Sequence, residues 1–82
     1  MRKAMSKKNA VLERLADKWE KWNPSETFLP WHGDYVFTRD EVNGETIYEL
    51  EKRSGSIRLS MTEQMPEDDD VWEMAAKVLS IA

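Results

Sequence analysis

Two groups of residues in this chain have side chains that could do chemistry. His32 is the only histidine and lies in the run Trp31-His32-Gly33-Asp34, where an imidazole could act as a general base on a hydroxyl group. Asp68, Asp69 and Asp70 are consecutive carboxylates, the ligand type that hard cations prefer. Side chains of consecutive helical residues diverge by about 100°, so these three cannot converge on one ion. We therefore predict helix capping by the aspartates, a structural role for His32 and no metal site.

The rest of the composition argues further against an enzyme. The chain has 82 residues and no cysteine, which excludes thiol catalysis, cysteine-bound zinc and iron–sulfur clusters. It has no glycine-rich phosphate loop and no H-E-x-x-H motif, and no Ser-His-Asp arrangement can be placed. The prediction is a non-enzymatic protein without a cofactor.

Length and hydropathy indicate one small domain over residues 1–82. With 40% hydrophobic residues, such a chain buries a small core and needs large side chains to become stable. Its apolar runs are too short for a membrane helix, and its basic start lacks the apolar region of a signal peptide. We expect a cytoplasmic protein with no membrane partner.

Charge is unevenly distributed along the chain. The formal net charge is −4, yet residues 1–22 carry seven Lys or Arg and only three Asp or Glu. Residues 66–82 carry one basic and five acidic residues. Such polarity can attract a charged partner, with a strength that salt reduces.

The order of elements follows from periodicity and turn residues. Leu12, Leu15, Trp19 and Trp22 predict an amphipathic helix that starts at an N-cap, Ser6, and stops before Asn23-Pro24. Residues 24–34 contain two prolines and two aromatic residues and are predicted to be an ordered loop packed on the domain.

Two β-rich runs, residues 35–42 and 45–52, are separated only by Asn43-Gly44, a strong signal for a type I′ hairpin. A second turn at Ser54-Gly55 adds a third strand. Together the turns place one set of large side chains on one face. The set is Tyr35, Phe37, Tyr48, Leu50, Ile57, Leu59 and Met61.

The other sheet face is predicted to be polar with an acidic lean, and it includes Glu49, Glu51 and Arg58. Glu51 and Arg58 should face each other as a cross-strand ion pair. A final helix follows Pro66, with Asp70 and Glu73 as a variant capping box. Trp72 and its neighbours form the apolar stripe of this helix.

These elements give an α+β fold. The prediction is a two-layer α-β-β-β-α sandwich, with a three-stranded antiparallel meander and two helices on one face.

The element order resembles that of the double-stranded-RNA-binding fold, which has a similar length. The resemblance is one of topology only. In that family the last helix opens with a lysine-rich motif that contacts phosphates, whereas this chain has Glu67-Asp68-Asp69-Asp70 there. The departure disfavours binding of duplex RNA. Small mRNA-cleaving toxins use a variant of the same fold with one histidine near a strand, which would give His32 the role of base.

Three hypotheses for function remain. The first is a regulatory protein that binds a protein partner, and specifically an accessory inhibitor of a phage or mobile element that offers negative charge to nucleic-acid-handling machinery. Its predicted contacts are Asp68, Asp69, Asp70, Glu49, Glu51 and Trp31.

The second hypothesis is a nucleic-acid-binding module that uses the basic N-terminal helix, with or without RNA cleavage at His32. Its predicted contacts are Lys3, Lys7, Lys8 and His32. The third is a structural homodimer formed through the polar sheet face or an edge strand.

Overall fold

The structure is a computed structural model that describes residues 6–22, 28–30 and 33–81. Over these ranges it has two helices and one antiparallel sheet, so the predicted α+β class is confirmed. The elements in chain order are α1 (Lys7–Trp22), β1 (Phe28–Pro30), β2 (Tyr35–Val42), β3 (Glu45–Lys52), β4 (Arg58–Thr62) and α2 (Asp70–Leu79).

The first hairpin has the predicted register. Val42 pairs with Glu45 and Phe37 with Leu50. Asn43 and Gly44 both adopt positive φ, 52° and 80°, as a type I′ turn requires. The twist of this turn matches that of the strands, so two residues suffice to reverse the chain.

The second hairpin is also confirmed. The amide of Gly55 donates to the carbonyl of Lys52 at 2.7 Å, and the amide of Lys52 donates to the carbonyl of Ile57 at 2.9 Å. Beyond this turn Leu50 pairs with Leu59. The two turns therefore place the predicted apolar residues on the same face of the sheet.

The sheet has one strand more than predicted. Residues 28–30, assigned to a loop from the sequence, form β1 and pair with β2 through Leu29 and Phe37. The strand order is β1-β2-β3-β4. A run that contains proline is a poor strand candidate by sequence, but proline is tolerated in a strand at the edge of a sheet.

Both helices pack on the apolar sheet face and form one core with it. Among the described residues the core comprises Val11, Leu15, Trp19, Phe37, Tyr48, Leu50, Met61, Val71, Trp72, Ala75, Ala76, Val78 and Leu79.

Trp19 and Trp72 are fully buried, as predicted. The Trp19 ring lies 5.6 Å from that of Tyr48, and the guanidinium of Arg39 lies 5.3 Å from the Trp19 ring centre. Burial raises the pKa of the Tyr48 phenol, and the positive charge of Arg39 partly offsets this rise. The indole N–H of Trp72 donates to the carbonyl of Pro66 at 2.9 Å, so this buried donor is satisfied.

Trp22 was predicted to belong to the apolar stripe of α1, but 49% of its surface is exposed. Val11, which the stripe omitted, is fully buried. Trp22 is the last residue of α1 and lies past the end of the core. Periodicity identifies the buried side of a helix but not the point along its length where the core stops.

The two tryptophans of α1 give a matched test of this arrangement. We expect Trp19→Ala to lower the free energy of unfolding by about 3–5 kcal/mol, because a large buried side chain is removed. Trp22→Ala should change it by less than about 1 kcal/mol. Urea denaturation of both variants measures the difference, and equal losses would contradict the placement of Trp22.

Candidate interaction surfaces

The aspartate run opens α2, and the residue that caps the helix is Asp69. Its backbone is extended, with φ −73° and ψ 138°, and its carboxylate accepts the amide of Val71 at 3.0 Å. The sequence prediction of Asp70 as the cap is therefore wrong by one residue, since Asp70 is already helical. Capping needs an extended backbone at the capping residue, and three successive aspartates offer the same side chain at three positions.

The remaining carboxylates around this cap are exposed. We call Glu67, Asp68, Asp70 and Glu73 the acidic end of α2. None of these four forms an ion pair with a described residue. Over the described ranges no group of three or more potential ligands could hold a metal ion. The acidic end thus presents negative charge that no described cation neutralises.

The loop before α2, residues 63–69, is held to the two helices by side-chain hydrogen bonds. The ammonium group of Lys8 donates to the carbonyls of Glu63 and Met65, the latter at 2.6 Å. The indole N–H of Trp72 donates to the next carbonyl, that of Pro66. Lys8, a predicted nucleic-acid contact in the second hypothesis, is half-buried and serves this loop. Sequence reasoning missed this role, since lysines in an amphipathic helix are usually solvated.

The second acidic site lies on the sheet face opposite the core, which we call the open face. Arg58 Nε lies 3.2 Å from Glu49 Oε2 and 3.5 Å from Glu51 Oε2. The hydroxyl of Ser60 also donates to Glu49, at 3.2 Å. The predicted pairing of Glu51 with Arg58 is confirmed, but the shorter contact of Arg58 is with the diagonal residue Glu49.

Arg58 changes the electrostatics of the open face. Its hydrogen bond lowers the pKa of the Glu49 carboxyl, and burial partly opposes this effect. One guanidinium is thus shared by two carboxylates, so the three side chains together carry a single net negative charge. The attraction of this site for a basic partner is weaker than the sequence suggested.

The two acidic sites are separate. Glu49 and Glu51 lie on the open face, whereas the acidic end of α2 belongs to a helix that packs on the other face. No hydrogen bond or ion pair joins the two sites within the described residues. The acidic residues predicted from the sequence therefore form two separate candidate sites and not one continuous surface.

Three of the predicted contacts, Trp31, His32 and Lys3, lie outside the described residues. An RNA-cleaving site needs cations near the scissile phosphate. Two arginines of the strand region have other partners, since Arg39 lies over Trp19 and Arg58 binds the open-face carboxylates. RNA cleavage at His32 stays an untested prediction.

Comparisons with known proteins give no further guide. No protein-family model, curated protein or solved structure matches the chain. No helix among the described residues is long and apolar enough to cross a membrane.

The position of the cap can be tested by substitution. We expect Asp69→Ala to lower the free energy of unfolding by about 0.5–2 kcal/mol, because it removes the acceptor for the Val71 amide. Asp69→Asn retains a capping oxygen and should cost less, and Asp68→Ala serves as the control from the same run. Thermal or urea unfolding measures all three, and a larger loss for Asp68→Ala than for Asp69→Ala would contradict the assignment.

The interaction of Arg58 with Glu49 predicts a pH dependence. The folded pKa of Glu49 lies below its ordinary value of 4.5. The contribution of ionised Glu49 to the stability of the fold is therefore present above that value and is lost as the pH falls through the folded pKa. We expect Arg58→Gln to raise the pKa of Glu49, as measured by NMR titration of its side-chain carbonyl. An unchanged pKa in this variant would show that Arg58 is not the cause.

Proposed function

We propose that this chain is a small non-enzymatic regulatory protein that binds a protein partner through the acidic end of α2. One observation carries the proposal: four exposed carboxylates surround a capped helix terminus, and no described cation pairs with them. The complementary surface on a partner would be rich in lysine or arginine.

The anchored loop before α2 supports this proposal. The side chains of Lys8 and Trp72 donate hydrogen bonds to three of its carbonyl groups, those of Glu63, Met65 and Pro66. Asp69 caps the first turn of the helix. The carboxylates at positions 67, 68 and 70 therefore lie on a segment whose backbone is held by hydrogen bonds on both sides. A rigid site loses less conformational entropy on binding than a flexible one.

The class of partner follows from charge. Basic surfaces that accept phosphate are characteristic of proteins that handle nucleic acids, so an acidic protein can occupy such a surface and exclude the nucleic acid. We propose this inhibitory role, of the kind found among accessory proteins of phages and mobile elements. Glu49, Glu51 and Trp31 are secondary contacts in this proposal, and Asp69 contributes chiefly as the cap.

The test is a comparison of two variants that change net charge equally. Asp68→Asn/Asp70→Asn removes two charges from the acidic end of α2, and Glu13→Gln/Glu20→Gln removes two from exposed positions of α1. Each full-length chain is immobilised and exposed to nuclease-treated lysate of the source cells, with washes at low and moderate salt. Near-UV circular dichroism checks that each variant is folded.

We expect the unmodified chain and the α1 variant to retain the same stoichiometric protein. The variant of the acidic end should lose it, and raised salt should weaken binding. Equal retention by all three chains would contradict the proposal. Retention of nucleic acid alone, when nuclease is omitted, would favour the second hypothesis, and Lys7→Gln would then test the basic helix.

A further inference from the structure

The two edges of the sheet differ in how they are protected against pairing with another strand. β1 spans three residues and ends in Pro30, and short strands and proline both protect an edge. β4 spans five residues, contains no proline, and pairs with β3 from Arg58 to Thr62 without a bulge. Within the described residues no strand pairs with the outer side of β4.

The hydrogen-bonding pattern identifies which backbone groups of β4 face outward. Lys52 and Ile57 are a hydrogen-bonded pair, since the amide of Lys52 donates to the carbonyl of Ile57. Such pairs alternate along antiparallel strands, so Leu59 and Met61 bond to β3. The N–H and C=O groups of Arg58 and Ser60 therefore point away from β3, toward the outer side of the strand.

The charged side chain that could protect this edge leans across the open face toward β3 and stays exposed there. Arg58 is the only charged residue of β4, and outward charges are a common means of preventing edge pairing. Its guanidinium instead binds Glu49 and Glu51 on β3. Ser60 likewise directs its hydroxyl to Glu49. The outer edge of β4 thus presents free backbone groups, and no charged side chain of β4 is placed to prevent another strand from pairing with them.

We propose that β4 pairs in an antiparallel arrangement with β4 of a second copy of this chain, about a two-fold axis at Ser60. Arg58 then lies opposite Thr62 of the second copy, and Leu59 opposite Met61. No like charges face each other in this register, whereas a parallel arrangement would place the two Arg58 side chains side by side. This charge pattern favours the antiparallel dimer.

Repulsion between the acidic strands does not oppose this arrangement. The two β3 strands would be three strand spacings apart, about 14 Å. This separation exceeds the screening length at physiological salt, about 8 Å, and Arg58 already offsets part of the charge of Glu49 and Glu51. Leu59, which is half-buried beside the core, would gain cover from the second copy. The two four-stranded sheets would join into a single eight-stranded sheet.

The backbone requirement is tested by a proline substitution. Ser60→Pro removes an N–H that points outward, and proline is tolerated on an edge strand at such a position. Ser60→Ala is the matched control, because it removes the hydroxyl but keeps the N–H. Sedimentation equilibrium from micromolar to millimolar concentration should show a dimer for the unmodified chain and for Ser60→Ala, and a dissociation constant raised about tenfold or more for Ser60→Pro.

A second variant tests the register and does not depend on the folding of the proline variant. The chain has no cysteine, so Ser60→Cys introduces one thiol, which the two-fold axis would place about 5.5 Å from its counterpart, Cα to Cα. A short bismaleimide should cross-link this variant into a dimer. The control is Ser56→Cys, an exposed position in the preceding turn, where the two thiols would lie far apart.

Three results would overturn the proposal. They are a monomeric unmodified chain at all concentrations, a folded Ser60→Pro variant with unchanged dimer affinity, and cross-linking of Ser60→Cys no faster than that of Ser56→Cys. Each is independent of whether the acidic end of α2 binds a protein partner.

Discussion

The register set by the Asn43-Gly44 turn is the constraint on which the rest of the structure depends. Both turn residues have positive φ, and the strands that they join pair without interruption from Val42 to Tyr35. A shift of one residue would move every large side chain of β2 or β3 to the other face. The helices would then have no continuous apolar surface to cover, and Trp19 and Trp72 could not both be buried against it.

Most of the architecture could be predicted from the sequence because its signals are local. A two-residue turn, the alternation along two strands and the spacing of Leu15 and Trp19 each depend on neighbouring residues only. The strand at residues 28–30 could not be predicted, since its assignment rests on long-range pairing with Phe37 and its neighbours. Trp22 shows the same limit, because its exposure depends on where the core ends.

The candidate site was predicted less completely than the fold. Its acidic residues are evident in the sequence, but the pairing of one of them, Glu49, with Arg58 is not. Arg58 binds Glu49 through a diagonal contact across two strands, and Lys8 reaches carbonyls more than fifty residues away in the chain. Neither contact has a periodic signature. Charge counted along a sequence therefore overstates the charge that a folded surface presents.

The attachment of Lys8 has a consequence for how the molecule opens. It connects the first turn of α1 with the loop that leads into α2, so one ammonium group and two carbonyls add a polar link to the core that the two helices share. Fraying of the first turn of α1 would therefore free two carbonyls of the loop before α2 and loosen the entry to that helix. The stability of the start of α1 and the conformation of the loop that opens α2 are thus linked, although the two are distant in sequence.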